Sequence, residues 1–164
     1  MGQFDWTPEV YLERIRAEIP GYDELQEQAV AAIPFAPGRV LELGMGTGET
    51  TRRLIEAYPA SWVVGMDSSP DMVFRARKTY DDVQLARIED PLPDGPWDLV
   101  ISVLSVNQLD DEKKQGLFRR VKNHARSLVI GDLFEDGQLE DIVEWSGGEI
   151  AWRSGELAVI RATY

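Results

Sequence analysis

The sequence predicts an α/β fold: a mostly parallel sheet of seven strands, preceded by helices and closed by an antiparallel C-terminal hairpin. Three observations carry this. From Arg39 onward, apolar runs of strand length alternate with helical patterns, the signature of βαβ units. The first run, Val40-Leu41-Glu42-Leu43, ends in a glycine-rich turn, Gly44-Met45-Gly46-Thr47-Gly48, that opens into a helix. At the C-terminus, two strand-like stretches flank Ser154-Gly155, a hairpin turn. With 164 residues, 43% of them hydrophobic, the chain fits one domain with a single core. Residues 1–36 form a helical segment and 37–164 the α/β core.

Taken in order, Thr7-Pro8-Glu9 reads as an N-cap, a proline at the first helical position and an acid in the first turn, so a helix runs from Pro8 to Ala17. Ile19-Pro20-Gly21 stops it. A second helix, Tyr22 to Ala32, ends before Pro34 and the Pro37-Gly38 turn. The parallel strands are Arg39 to Leu43, Ser61 to Met66, Val83 to Arg87, Asp98 to Ser102 and Ser127 to Gly131. Between them fall helices over Gly48 to Tyr58, Pro70 to Lys78 with Ser69 as cap, and Asp111 to Lys122 with Asp110 as cap. Gly148 to Arg153 and Leu157 to Arg161 form the hairpin. Asp132 to Gly147 reads as a short connection. Helices that precede the first strand of an open parallel sheet can lie over its ligand cleft, and the N-terminal pair is expected to act as a lid.

The composition excludes several function classes. A formal net charge of -12, from 17 basic and 29 acidic side chains, repels nucleic acid at long range. The basic cluster Arg119-Arg120-x-Lys122 lies on a helix end, where cations suit the dipole. No apolar run approaches the roughly 20 residues of a membrane span, and Met1-Gly2-Gln3-Phe4-Asp5 lacks a leader pattern, so a cytoplasmic protein without membrane partners is expected. Without cysteine, and with His124 as its one histidine, the chain offers no metal-ligand pattern.

The glycine turn followed by an acid at the end of the next strand, Asp67, predicts a cleft for an adenosine-bearing cofactor. A dinucleotide site wants G-x-G-x-x-G, and the third glycine position here is Glu49. A carboxylate in the first helical turn also opposes phosphate binding. No Gly-Lys-Ser/Thr follows for a triphosphate. A phosphate-free cofactor fits best, because bare backbone at Gly44, Gly46 and Gly48 approaches a ligand closely and Asp67 can accept two ribose hydroxyls.

These residues, Glu42-Leu43-Gly44-x-Gly46-Thr47-Gly48 and Val63-Val64-Gly65-Met66-Asp67-Ser68-Ser69-Pro70, resemble class I S-adenosylmethionine-dependent methyltransferases of the small-molecule type. The resemblance continues through Leu92-Pro93, Trp97-Asp98-Leu99-Val100-Ile101-Ser102 and Asn107-Gln108-Leu109, and the stretch from Phe4-Asp5-Trp6 to Leu25 is similar to that family's N-terminal helices. It implies a Rossmann-like, doubly wound sheet whose last strand inserts antiparallel between the fifth and sixth. It also implies S-adenosylmethionine as cofactor, S-adenosylhomocysteine as product, and methyl transfer to the O, N or C of a small molecule.

By the same resemblance, the methionyl half lies over Gly44, Gly46, Thr47 and Gly48, with Glu42 near its ammonium directly or through water. Asp67 holds the ribose. Ser68, Met72, Ile88 and Glu89 border the adenine, and Ser102, Val103 and the lid residue Tyr11 complete the set. Asp98 is expected to serve structure. Two features depart from the family. Asn107-Gln108 stands where relatives often carry two histidines, and the connection after Asp132 is short. Asn107, Gln108 and Asp132 are therefore expected to orient an acceptor without acting as a strong base. The open acceptor side implies completion by a bulky substrate, the N-terminal helices, a second copy or a partner chain. A regulatory cofactor-binding partner with weak turnover is the alternative reading.

Overall fold

The computed structural model describes residues 6–164, so Phe4-Asp5 and the start read above for a leader lie outside the described residues. Helices α1 (Pro8–Glu18) and α2 (Tyr22–Ala31) lead into β1 (Arg39–Leu43), α3 (Glu49–Ala57), β2 (Trp62–Asp67), α4 (Pro70–Ala76), β3 (Val83–Leu85) and β4 (Leu99–Val103). A 3-10 turn (Val106–Gln108), α5 (Asp111–His124), β5 (Ser127–Leu133), α6 (Gln138–Ser146) and the hairpin β6 (Glu149–Ser154) and β7 (Leu157–Thr163) follow. The seven strands form one sheet in the order β3-β2-β1-β4-β5-β7-β6. The first five pair in parallel, and β7 runs antiparallel to both β5 and β6. The implied insertion of the last strand is thus the one observed.

The apolar runs of the central strands reflect burial on both faces. Along them, alternate residues enter opposite cores. Leu41, Leu43, Val100, Leu128, Ile130, Ala158 and Ile160 pack with Leu117, Phe118 and Val121 of α5 and Leu139 and Ile142 of α6. Val40, Leu99, Ile101, Val129 and Val159 pack with Ile15 of α1, Leu25 and Ala29 of α2 and Leu54 of α3. The N-terminal helices therefore share one face of the sheet with α3.

Capping follows the sequence in two of three places. Ser69 Oγ accepts from Met72 N–H at 3.3 Å and an Asp110 carboxylate oxygen from Lys113 N–H at 2.9 Å. Thr7 occupies the N-cap of α1, yet its side chain makes no capping bond. Strand β3 stops at Leu85, shorter than expected, because Arg87 N–H turns to the Asp90 carboxylate at 3.0 Å instead of extending the ladder. Helix α6 occupies most of the short connection over 132–147, where the sequence reading drew no element. It fits between Gly137 and Gly147, both left-handed at φ 88° and 68°, and buries Leu139 and Ile142.

Candidate functional site

The carboxyl ends of β1, β2 and β4 open onto one cleft of about 290 Å³, the place where open α/β sheets bind ligands. Its floor is the turn from β1 into α3. Met45 N–H donates to Met66 O at 2.8 Å, and Gly46 N–H donates to the Asp67 carboxylate at 2.8 Å, so β2 holds the turn from the side. The three glycines are left-handed, at φ 71°, 57° and 93°, but they serve different ends. A side chain at Gly44 would strike Ser105 Oγ at 1.9 Å, and one at Gly48 would strike the Tyr80 ring at 2.3 Å. At Gly46 it would meet nothing within 4 Å. Gly44 and Gly48 are therefore filled from the protein, whereas Gly46 presents bare backbone to open space.

Asp67 knits this floor to the next helix. Its other oxygen accepts Ser69 N–H at 2.9 Å. Burial raises its pKa and outweighs the backbone bonds from Ser69, Gly46 and Ser68 that lower it. Each oxygen keeps acceptor capacity beyond these bonds, and Asp67 lines the cleft. Around it stand Ser68, Ser69, Met72, Arg87, Ile88 and Glu89 on one side and Leu104, Ser105, Gln108 and Leu109 on the other. Trp6 and Tyr11 line the cleft from the side of the N-terminal helices, their rings 6.1 Å apart and tilted by 56°. Burial, with Asp67 and Glu42 adding to it, pushes the Tyr11 phenol up to about 12.

The cleft thus brings together Tyr11, Gly44, Gly46, Asp67, Ser68, Met72, Ile88, Glu89 and Gln108 of the expected set. The others stand behind its walls. Glu42 is 1% exposed and bonds the Thr51 hydroxyl at the start of α3. Burial dominates the bonds from Thr51 and Thr50 and pushes its carboxyl up to about 8. Thr50 extends the buried chain to Gln26 at 2.8 Å, and Gln26 to the Tyr22 hydroxyl at 3.1 Å. Gly48 is the N-cap of α3, and Thr47 stands just before it. Ser102 is fully buried, its hydroxyl donating to Leu43 O at 3.0 Å, and Val103 packs in the core under the N-terminal helices.

Asn107 and Asp132 form a clamp behind the cleft instead of facing it. Asp132, 4% exposed, accepts the N–H groups of Asn107 at 3.0 Å and Leu133 at 2.9 Å. Burial outweighs both bonds and pushes its carboxyl up to about 6. The Asn107 amide nitrogen donates to Leu133 O and to Gln138 Oε1 of α6. This clamp holds the turn that carries Leu104, Ser105, Gln108 and Leu109 into the cleft. Leu104 is left-handed at φ 59°, an unusual state for a bulky residue, held by its N–H to Gly131 O at 2.8 Å and by Gln108 Nε2 to its own carbonyl at 3.1 Å.

Ser69, Arg87, Leu104, Ser105, Leu109 and Trp6 are cleft residues that sequence reasoning did not single out. For Ser105 the only signal is tertiary: it fills the space that Gly44 leaves. Asp98 lies at the far end of β4 and accepts Gly38 and Arg39 N–H at 2.9 and 3.0 Å, a structural role. Glu49 does not confront the cleft with free charge. Arg52 at 2.7 Å and Arg53 at 3.1 Å bind it, and although burial pushes its carboxyl up, these guanidinium groups hold it below the usual carboxylate range. The case against a diphosphate therefore rests on the missing third glycine more than on repulsion. Among the described residues no cluster of three or more metal-ligating side chains occurs, and no helix is long and apolar enough to cross a membrane.

Comparison with known proteins agrees with this geometry. The chain is 34% identical over 113 residues to trans-aconitate 2-methyltransferase of Escherichia coli O139:H28, and equally so to that of Escherichia fergusonii. The alignment covers 65% of this chain and 42% of each relative, so the chain spans less than half the length of these curated relatives. In fold, it superposes on the DhpI–S-adenosylhomocysteine complex with a TM-score of 0.73 at 18% identity, covering 97% of this chain and 93% of that one. Human N-acetylserotonin methyltransferase in complex with S-adenosylmethionine gives 0.71 at 15% identity, over 96% and 56%. The family profile described as methyltransferase domain matches residues 40–127, more than half of the chain. The chain belongs to that family and has the fold of its class I S-adenosylmethionine-dependent members.

Proposed function

We propose that the cleft binds S-adenosylmethionine and that the chain directs transfer of its methyl group to a small-molecule acceptor. The observation that carries this reading is the pairing of Gly46 and Asp67. Bare left-handed backbone faces open space on one side, and a carboxylate with no salt-bridge partner among the described residues borders it on the other. That combination suits a nucleoside with an uncharged sugar and a slim chain.

When bound, this cofactor supplies a methyl group already activated on a positively charged sulfur, so alignment can provide much of the acceleration. The chain's own residues have correspondingly modest tasks. Asp67 accepts the two vicinal ribose hydroxyls, and its bonds to Gly46 and Ser69 fix its direction. Ile88 and Met72 offer apolar walls to the adenine, with Glu89 at the edge. Tyr11 and Trp6 cover the opening and exclude water. Glu42 supports the turn from beneath, holding the start of α3 through Thr51. Ser105 and Gln108 are the polar groups placed to orient an acceptor. Neither takes a proton well at neutral pH.

Titration calorimetry with S-adenosylmethionine and S-adenosylhomocysteine tests the reading. Both are expected to bind at one site per chain, and Asp67→Ala to weaken binding by about 1–3 kcal/mol by stranding two hydroxyls. Absence of binding to a folded chain contradicts it.

A further inference from the structure

We infer that the acceptor side of this cleft takes an uncharged molecule with an aromatic or conjugated face, and discriminates against polycarboxylates. The inference rests on the proposed position of the cofactor. With the cofactor over Gly46 and Asp67, the space left for an acceptor is bounded by Trp6, Tyr11, Leu104, Ser105, Gln108 and Leu109.

Two features of that boundary decide the chemistry. The first is charge. Arg87 is the one cation among the described cleft residues, and Glu89 binds it at 2.8 Å on the adenine side. Lys113 is also drawn to Glu89, at 3.9 Å. The ionisable acids of the cleft, Asp67 and Glu89, repel a second anion, and a carboxylate that loses its water without a cation or a donor array is strongly disfavoured. Arg14 stands 6.0 Å from the Trp6 ring and is not part of the lining. The second feature is shape and polarity. The tilted Trp6–Tyr11 pair offers ring faces and edges of the kind that favour aromatic contacts, Leu104 and Leu109 add apolar surface, and Ser105 and Gln108 supply neutral hydrogen-bonding groups. A neutral ring bearing a hydroxyl or ring N–H satisfies all of these; a tricarboxylate satisfies none.

The test uses the full chain with radiolabelled S-adenosylmethionine and two acceptor pools: uncharged phenols and indoles, and di- and tricarboxylates that include trans-aconitate. The expected result is transfer to the neutral pool at a kcat/KM at least about tenfold above that for the acids. Trp6→Ala should lower the neutral-pool kcat/KM about fivefold or more, a larger factor than any loss of cofactor affinity measured beside it by calorimetry, and Trp6→Phe should restore most of it, as an aromatic-face role requires. Equal or faster transfer to the acids overturns the inference. So does transfer to neither pool when calorimetry shows the cofactor bound. Failure to bind the cofactor is a separate outcome that removes the functional reading beneath it.

Discussion

Ser105 and Tyr80 fill the space beside Gly44 and Gly48, whereas Gly46 faces open space. Gly46→Ala places a methyl in open space at φ 57°, so the fold should lose only about 1–2 kcal/mol of backbone strain. Cofactor affinity should fall sharply, because the methyl occupies the ground the ligand needs. Gly44→Ala meets Ser105 Oγ at 1.9 Å and should lower the thermal midpoint more. A thermal melt beside a calorimetric titration separates the two. Glu42 gives a second outcome with a defined sign. The folded chain retains a proton up to a pKa of about 8, whereas an unfolded glutamate titrates near 4.5. Between those values the folded state binds more protons, so stability should fall as pH rises, with a slope of up to about 1.4 kcal/mol per pH unit from this group. Glu42→Gln, a neutral mimic of the protonated acid, should flatten that part of the profile in chemical denaturation. It should leave cofactor affinity nearly unchanged, since the side chain bonds Thr51 behind the floor. A large loss of affinity would put Glu42 in direct contact with the ligand.

Elements defined by local signals were legible in the sequence, and those defined by long-range contacts were not. The strand, glycine turn and helix around Gly44 and the acid ending β2 lie within 30 residues, and their chemistry is local. Ser69 and Asp110 declare their helices by capping. The 104–109 turn has no comparable signature: Leu104 becomes left-handed only because Gly131 and Gln108 hold it, and Ser105 matters only because Gly44 leaves it room. Asp132 and Asn107 were readable as polar residues at strand and helix ends, but their direction was not, since a one-residue change along a strand reverses the face. Helix α6 had a signal in Leu139-x-x-Ile142 between two glycines. At this scale, Asp132→Ala should cost about 1–3 kcal/mol by leaving two part-buried N–H groups without their acceptor. Amide exchange at Asn107 should quicken, while S-adenosylhomocysteine affinity changes less than with Asp67→Ala. Undiminished protection at Asn107 would show that Asp132 does not hold the turn.

Across the whole molecule, the sheet divides its tasks by end and by face. The amino end of the strands is closed by the Asp98 bonds, α5 and α6 pack on one face, and the N-terminal helices share the other with α3, with Trp6 and Tyr11 brought to the cleft on that side. The fold and the position of the cleft follow from this division, whereas the residues proposed to choose the acceptor come from distant segments. Gly46 and Asp67 together are proposed to receive the cofactor. The structure of crystals grown with S-adenosylhomocysteine tests it most directly. Ligand density is expected over Gly46, with both ribose hydroxyls within hydrogen-bond distance of the Asp67 carboxylate. Density elsewhere, or an Asp67 that keeps only its backbone partners while the ligand is bound, would contradict it.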